Sequence, residues 1–130
     1  MAKNKFYYNG KLVRTSEHEY THCIVDGEGK VLRCTTQPQK ALDSIISEKL
    51  VCGTERYWDK SYDQSIRDYK AELRTHHVGS ANYLEGLRKI ATTPKAEYIK
   101  EKIAEWTAWM EANGRFEYIN SIHIEPLEKR

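Results

Sequence analysis

Trp58, Tyr62, Ile66, Tyr69 and Leu73 recur at spacings of four, four, three and four. A helix with about 3.6 residues per turn places all five side chains on one face. Thr54 stands where an N-cap is needed, and the periodicity predicts a helix running to about Arg74. A stripe this apolar must be covered, so the chain has to supply other elements to meet it. Thr75-His76-His77-Val78-Gly79-Ser80 breaks the pattern, and a shorter helix is predicted from Ala81 to about Ala91, with Leu84, Leu87 and Ala91 on one side. Thr93-Pro94 opens the last helix, which carries Ile99, Ile103, Trp106 and Met110 in register to about Ala112. Asn113-Gly114 then supplies a left-handed stop. Upstream, Pro38 suits a first helical turn, Leu42, Ile45, Ile46 and Leu50 form a stripe, and Gly53 ends it.

The N-terminal third reads differently. Asn9-Gly10 lies between two β-rich runs, which is the strongest short signal for a hairpin, and places strands at 4–8 and 11–15. Residues 19–25 and 30–35 are again β-rich, and Asp26-Gly27-Glu28-Gly29 permits a tight connection between them. Phe116, Tyr118, Asn120, Ile122 and Ile124 alternate before Pro126, which reads as a fifth strand. The expectation is a single α+β domain over 1–130. An N-terminal antiparallel sheet, a four-strand meander joined by a C-terminal fifth strand, would be followed by three to four helices.

With 130 residues, 39% of them apolar and 31% charged, the chain has the composition of a globular domain. A fold of this length buries roughly 68% of its unfolded surface, enough for a core without metal or disulfide staples. The net charge of +2, from 21 basic and 19 acidic groups, lacks the basic excess that drives strong non-specific nucleic-acid binding. Phe6-Tyr7-Tyr8-Asn9-Gly10 stands where a signal peptide would need an apolar run, and no stretch reaches the ~18 apolar residues of a membrane span. Cys23, Cys34 and Cys52 show no C-x-x-C spacing, which points to small buried hydrophobes and a reducing cytoplasm. Cys23 and Cys34 fall in neighbouring predicted strands.

Catalytic signatures are sparse. The five histidines are spread out, and His18 and His22, though four apart, lie where the pattern argues for strand, so no metal site is expected. Neither G-x-G-x-x-G, nor the P-loop pattern, nor a G-x-S-x-G elbow occurs. Asp59 with Asp63 and Glu97 with Glu101 are i,i+4 pairs on charged helical faces, which reads as solvated surface. What remains is recognition, with neither catalytic residue nor cofactor. Nine tyrosines offer flat stacking area with a polar tip. Arg56 and Tyr57 sit beside the start of the long helix. Arg74, His77, Asn82 and Tyr83 gather around the break that follows it. Arg grips phosphate bidentately, a helix N-terminus favours an anion, Tyr83 can stack a base and Asn82 can read its edge, which suits a nucleotide-like ligand. The plainer alternative is that Ser80 caps a helix and the rest is an exposed loop.

The stretch Phe6-Tyr7-Tyr8-Asn9-Gly10-Lys11-Leu12-Val13-Arg14-Thr15-Ser16, with Glu19-Tyr20-Thr21-His22, resembles the opening hairpin of small proteins from phages and related mobile elements. In size and order of elements the chain is similar to the phage Thoeris anti-defence sponge family. That resemblance implies a non-enzymatic immune-evasion protein in the cytoplasm of the host bacterium. It would hold cyclic ADP-ribose isomers, made by bacterial immune TIR enzymes, in pockets of a homo-oligomer without destroying them. It covers about the first 35 residues plus the layout, and no ligand-contacting residue of the family is carried over. Two further readings stay open, an inhibitor that binds a bacterial defence protein directly, as anti-CRISPR proteins do, and a weak nucleic-acid-binding module. If Arg74, Asn82 and Tyr83 line a nucleotide pocket, alanine at each abolishes ligand uptake while the melting temperature stays within about 3 °C of wild type; calorimetric titration beside thermal denaturation checks this.

Overall fold

Asn9 and Gly10 both take positive φ, 52° and 78°, the twist of a type I′ turn. They join β1 (Asn4–Tyr8) to the antiparallel β2 (Lys11–Ser16). This hairpin opens a computed structural model that describes residues 3–75 and 81–130. The chain divides into two compact units, one formed by Met1–Lys49 with Asn113–Arg130 and the other by Leu50–Ala112.

The first unit continues with β3 (His22–Val25), β4 (Val31–Thr35) and α1 (Pro38–Lys49). The second holds a 3-10 turn at Val51–Gly53, α2 (Glu55–Thr75), α3 (Ala81–Thr92) and α4 (Lys95–Ala112). The chain then returns to the first unit through α5 (Arg115–Ser121), β5 (His123–Pro126) and β6 (Glu128–Lys129). The α+β class expected from the sequence is what the chain adopts, and the four helical stripes fall on α1 to α4.

The four-strand meander is replaced by two antiparallel three-stranded sheets, ordered β2-β1-β6 and β4-β3-β5. The cause lies in the segment between β2 and β3. Tyr20 packs edge-on against Phe6, with ring centroids 5.5 Å apart, and takes the Arg14 guanidinium over its face at 5.4 Å. Those contacts turn the connector away from a continued ladder. One residue later the Thr21 amide donates to the Thr35 carbonyl at 3.1 Å, already within the second sheet. The vacant edges of β1 and β3 are filled by the C-terminus. Ile24 lies opposite Ile124, and Phe6 lies opposite Lys129.

The expected fifth strand is likewise revised. Residues 115–121 form α5, and only 123–126 are extended. Gly114, at φ 61°, permits an immediate restart after α4, and the Tyr118 amide bonds back to the Gly114 carbonyl at 3.1 Å. The buried Ile119 then follows Phe116 at helical i,i+3 spacing.

The core of this unit is Ile24, Ala41, Ile45 and Ile122, with Leu32, Leu42, Tyr118 and Ile124 packed around it. Asp26, only 3% exposed, is its buried charge. One carboxylate oxygen accepts the Glu28 and Lys30 amides at 2.9 Å each, and the other accepts the Tyr118 hydroxyl at 3.0 Å. The same aspartate thus shapes the β3–β4 turn and pins α5 to it. Hydrogen bonds to the charged form, that from the Lys30 amide foremost, hold its carboxyl below the ordinary carboxylate range.

A lowered folded-state pKa contributes stability above the unfolded value near ~3.9, and that contribution fades as pH falls through the folded value. Asp26→Ala therefore lowers the melting temperature by about 5–10 °C at neutral pH. The gap to wild type narrows at acidic pH, starting below about pH 4, as thermal unfolding followed by circular dichroism across pH will register.

Candidate functional site

The long helix α2 begins on its cap, with the Tyr57 amide donating to Thr54 Oγ1 at 3.3 Å. Within the helical unit α2 packs on α3 and α4, and aromatic side chains organise that packing. Trp58 donates its indole N–H to the Cys52 carbonyl at 2.6 Å, fastening α2 to the 3-10 turn. Tyr62 donates to the Thr93 carbonyl at 2.9 Å, and Ser61 pairs with the Tyr98 hydroxyl at 3.0 Å. The Tyr98 ring lies edge-on to Trp58 at 6.3 Å and tilted on Tyr62 at 5.3 Å. These half-buried hydroxyl and indole groups thus all find partners.

Asp59 and Asp63 have a definite role. Lys95 Nζ lies 2.8 Å from one and 2.9 Å from the other, clamping the start of α4 to α2. The two carboxylates raise the Lys95 pKa further, so the ammonium stays charged across the physiological range. Lys95 also lies over the Tyr62 ring at 5.6 Å, and Lys102 lies over Tyr98 at 5.7 Å.

A groove of about 500 Å3 is lined by Tyr57, Lys60, Ser61, Asp63, Gln64 and Arg67 of α2. Arg67 donates to the Gln64 side-chain carbonyl at 2.8 Å, and Gln64 donates onward to Asp68 at 2.8 Å, so the guanidinium is steered by its own helix. The Tyr57 ring is 40% exposed at one end of this stripe. A contact with Cys52, the larger cause, and partial burial raise its pKa, keeping the phenol a neutral donor. The lining therefore combines a stacking surface, two cations, an amide and a hydroxyl, while its carboxylate is already paired to Lys95.

Of the residues singled out in the sequence, Tyr57 lines this groove. Its neighbour Arg56 is exposed in the first turn of α2. Arg74 stands in the last turn, roughly 26 Å away along the helix at 1.5 Å per residue, where it lines a second groove of about 450 Å3 with Lys70 and Leu73. Asn82 and Tyr83 are exposed in the first turn of α3, and His77 lies outside the described residues. The helix length separates Arg56 and Tyr57 from Arg74, so these do not form one pocket. Lys60, Ser61, Gln64 and Arg67 are not singled out by the sequence, where they are indistinguishable from a solvated helical face. Their spacing from Tyr57, at i+3, i+4, i+7 and i+10, was the available signal.

Among the described residues, no group of three or more His, Cys, Asp or Glu side chains could hold a metal ion. His22 is occupied with the Thr21 hydroxyl at 2.8 Å, and the His18 ring lies tilted on Tyr20 at 5.7 Å. No helix of the described residues is long and apolar enough to cross a membrane. No protein-family model, curated protein or solved structure matches the chain.

The floor of the helical unit is closely packed at Gly53, where an added Cβ would stand 2.7 Å from Trp106 Cζ3. A half-buried indole ring yields less readily than the far end of a flexible side chain. Gly53→Ala accordingly lowers the melting temperature by about 3–8 °C and alters the tryptophan near-ultraviolet dichroism, the readout that localises the damage to this packing.

Proposed function

We propose that this protein is a non-enzymatic binding protein that captures a nucleotide-type anion along the α2 groove and holds it unchanged. The observation that carries the reading is the alignment of Tyr57, Lys60, Ser61, Gln64 and Arg67 on one helical face around a groove of about 500 Å3, a volume within the range of small-molecule sites. Tyr57 supplies a face on which a base stacks, Arg67 and Lys60 neutralise phosphate, and Gln64 and Ser61 offer edge hydrogen bonds. Because Lys95 holds Asp63, the groove keeps a positive excess for an anion. The resemblance of the first hairpin to the anti-defence sponges supports a cyclic ADP-ribose isomer as the ligand and a phage immune-evasion role, with a homo-oligomer as the working form.

A second reading, direct inhibition of a bacterial defence protein, is favoured by a different observation. Leu73 is 51% exposed near the end of α2 and Leu84 is 37% exposed in α3, apolar area of the kind that protein interfaces use.

Incubation of the purified chain with cyclic ADP-ribose isomers, followed by native mass spectrometry and heat release, separates these readings. Capture predicts bound mass and an intact molecule on release. Tyr57→Ala and Arg67→Ala each weaken binding by about tenfold or more in calorimetry, and Arg67→Ala, whose side chain is exposed, leaves the melting temperature of the free chain unchanged. A chemically altered product would make the protein an enzyme. Absence of bound mass would set the nucleotide reading aside in favour of a protein partner.

A further inference from the structure

Cys23 and Cys34 are directly opposed on neighbouring antiparallel strands, since the register of β3 and β4 makes them partners. Opposed residues in such a ladder carry their side chains on the same face, with Cα atoms about 4.5 or 5.5 Å apart according to the hydrogen-bonding class of the pair. Both spacings fall within the roughly 4.4–6.8 Å that a disulfide spans. The register thus supplies the Cα spacing whichever class this pair belongs to.

The two thiols differ in access. Cys23 is fully buried, whereas Cys34 is partly exposed, and both are reduced. Burial, with the neighbouring Cys34 as the next cause, pushes the Cys23 thiol up to about 11. Burial raises the Cys34 thiol as well, and Arg14 works in the opposite direction. Cys52 belongs to the other, helical unit.

We propose that Cys23 and Cys34 form a cross-strand dithiol that a low-molecular-weight disulfide converts into a covalent staple between β3 and β4. The Cys34 thiolate, after giving up its proton, attacks one sulfur of oxidised glutathione. A mixed disulfide forms and one reduced glutathione leaves. The Cys23 thiolate, its proton passed to solvent, then attacks the Cys34 sulfur, forming the protein disulfide and releasing the second glutathione. Two thiols are oxidised by two electrons, and one glutathione disulfide is reduced to two thiols. The staple closes a short loop around the Asp26 turn, where the unfolded chain loses freedom at little geometric cost to the native sheet.

The test uses the full chain carrying Cys52→Ser, folded, in excess oxidised glutathione at mildly alkaline pH, and then alkylated after denaturation. The expected product has lost the mass of two hydrogen atoms and takes up no alkylating agent. Trypsin leaves its 15–30 and 34–40 peptides joined. Its melting temperature rises by about 5–10 °C and returns to the starting value on reduction. The further change Cys34→Ser removes the shift on oxidation, while leaving the reduced chain folded by circular dichroism. Two alkylatable thiols after equilibration, glutathione retained on Cys34 beside a reduced Cys23, or Cys34 joined to a second copy would each overturn the proposal.

Discussion

The eight residues after Ile122 are the constraint on which the first unit depends. Strands β1 and β3 each have a hairpin partner on one side only, and an isolated two-stranded hairpin is marginal in water. The C-terminus supplies the missing third strand to both, through β5 on β3 and β6 on β1. Leu127 between them donates its amide to the Thr21 carbonyl at 3.0 Å, and Arg130 donates to the Lys5 carbonyl at 2.9 Å. The Arg130 guanidinium also covers the Tyr7 ring at 4.4 Å, and Lys129 reaches Glu19 at 2.8 Å. Backbone bonds carry this closure, and the exposed ion pair adds little beside them.

The helical unit is organised on a different principle. Its aromatic residues bury area and, through their polar tips, also satisfy exposed backbone groups at element ends. Trp58 ties down the 3-10 turn and Tyr62 the α3–α4 connection. With the packed face held in this way, the Tyr57 to Arg67 stripe lies on a helix tied to its neighbours. Preorganised side chains lose less entropy on binding than mobile ones. The Asp59–Lys95–Asp63 clamp contributes twice, by joining two helices and by removing negative charge from the groove.

Much of this was legible in the residues themselves. The spacings of Trp58 to Leu73 and Ile99 to Met110, the Asn9-Gly10 turn and the proline-led helix starts are local signals, and the corresponding elements fall where those signals put them. Sheet membership was not legible, because what separates β2 from β3 is the packing of Tyr20 on Phe6, an event between distant residues. Strand β6 carries Glu128 and Lys129, neither a β-former, and is extended only because β1 offers an edge. The α5 segment misled because Phe116, Tyr118 and Asn120 alternate in sequence while Tyr118 is claimed by Asp26. The groove was half legible. Tyr57 stood out as an aromatic beside an arginine, but Lys60, Gln64 and Arg67 resemble any charged helical face until the volume beside them is seen.

The chain path also has a consequence for synthesis. The helical unit, 50–112, is continuous, whereas the sheet unit is split around it. A ribosome releasing this chain delivers both hairpins before the helical unit and their third strands after it. The helical unit therefore has its full complement of residues while β1 and β3 still have open edges. During that interval the nascent chain exposes two unpaired strand borders, the feature most prone to pairing with a neighbour. Emergence of β5 and β6 closes both borders and thus also ends the period in which these strands are most vulnerable to aggregation.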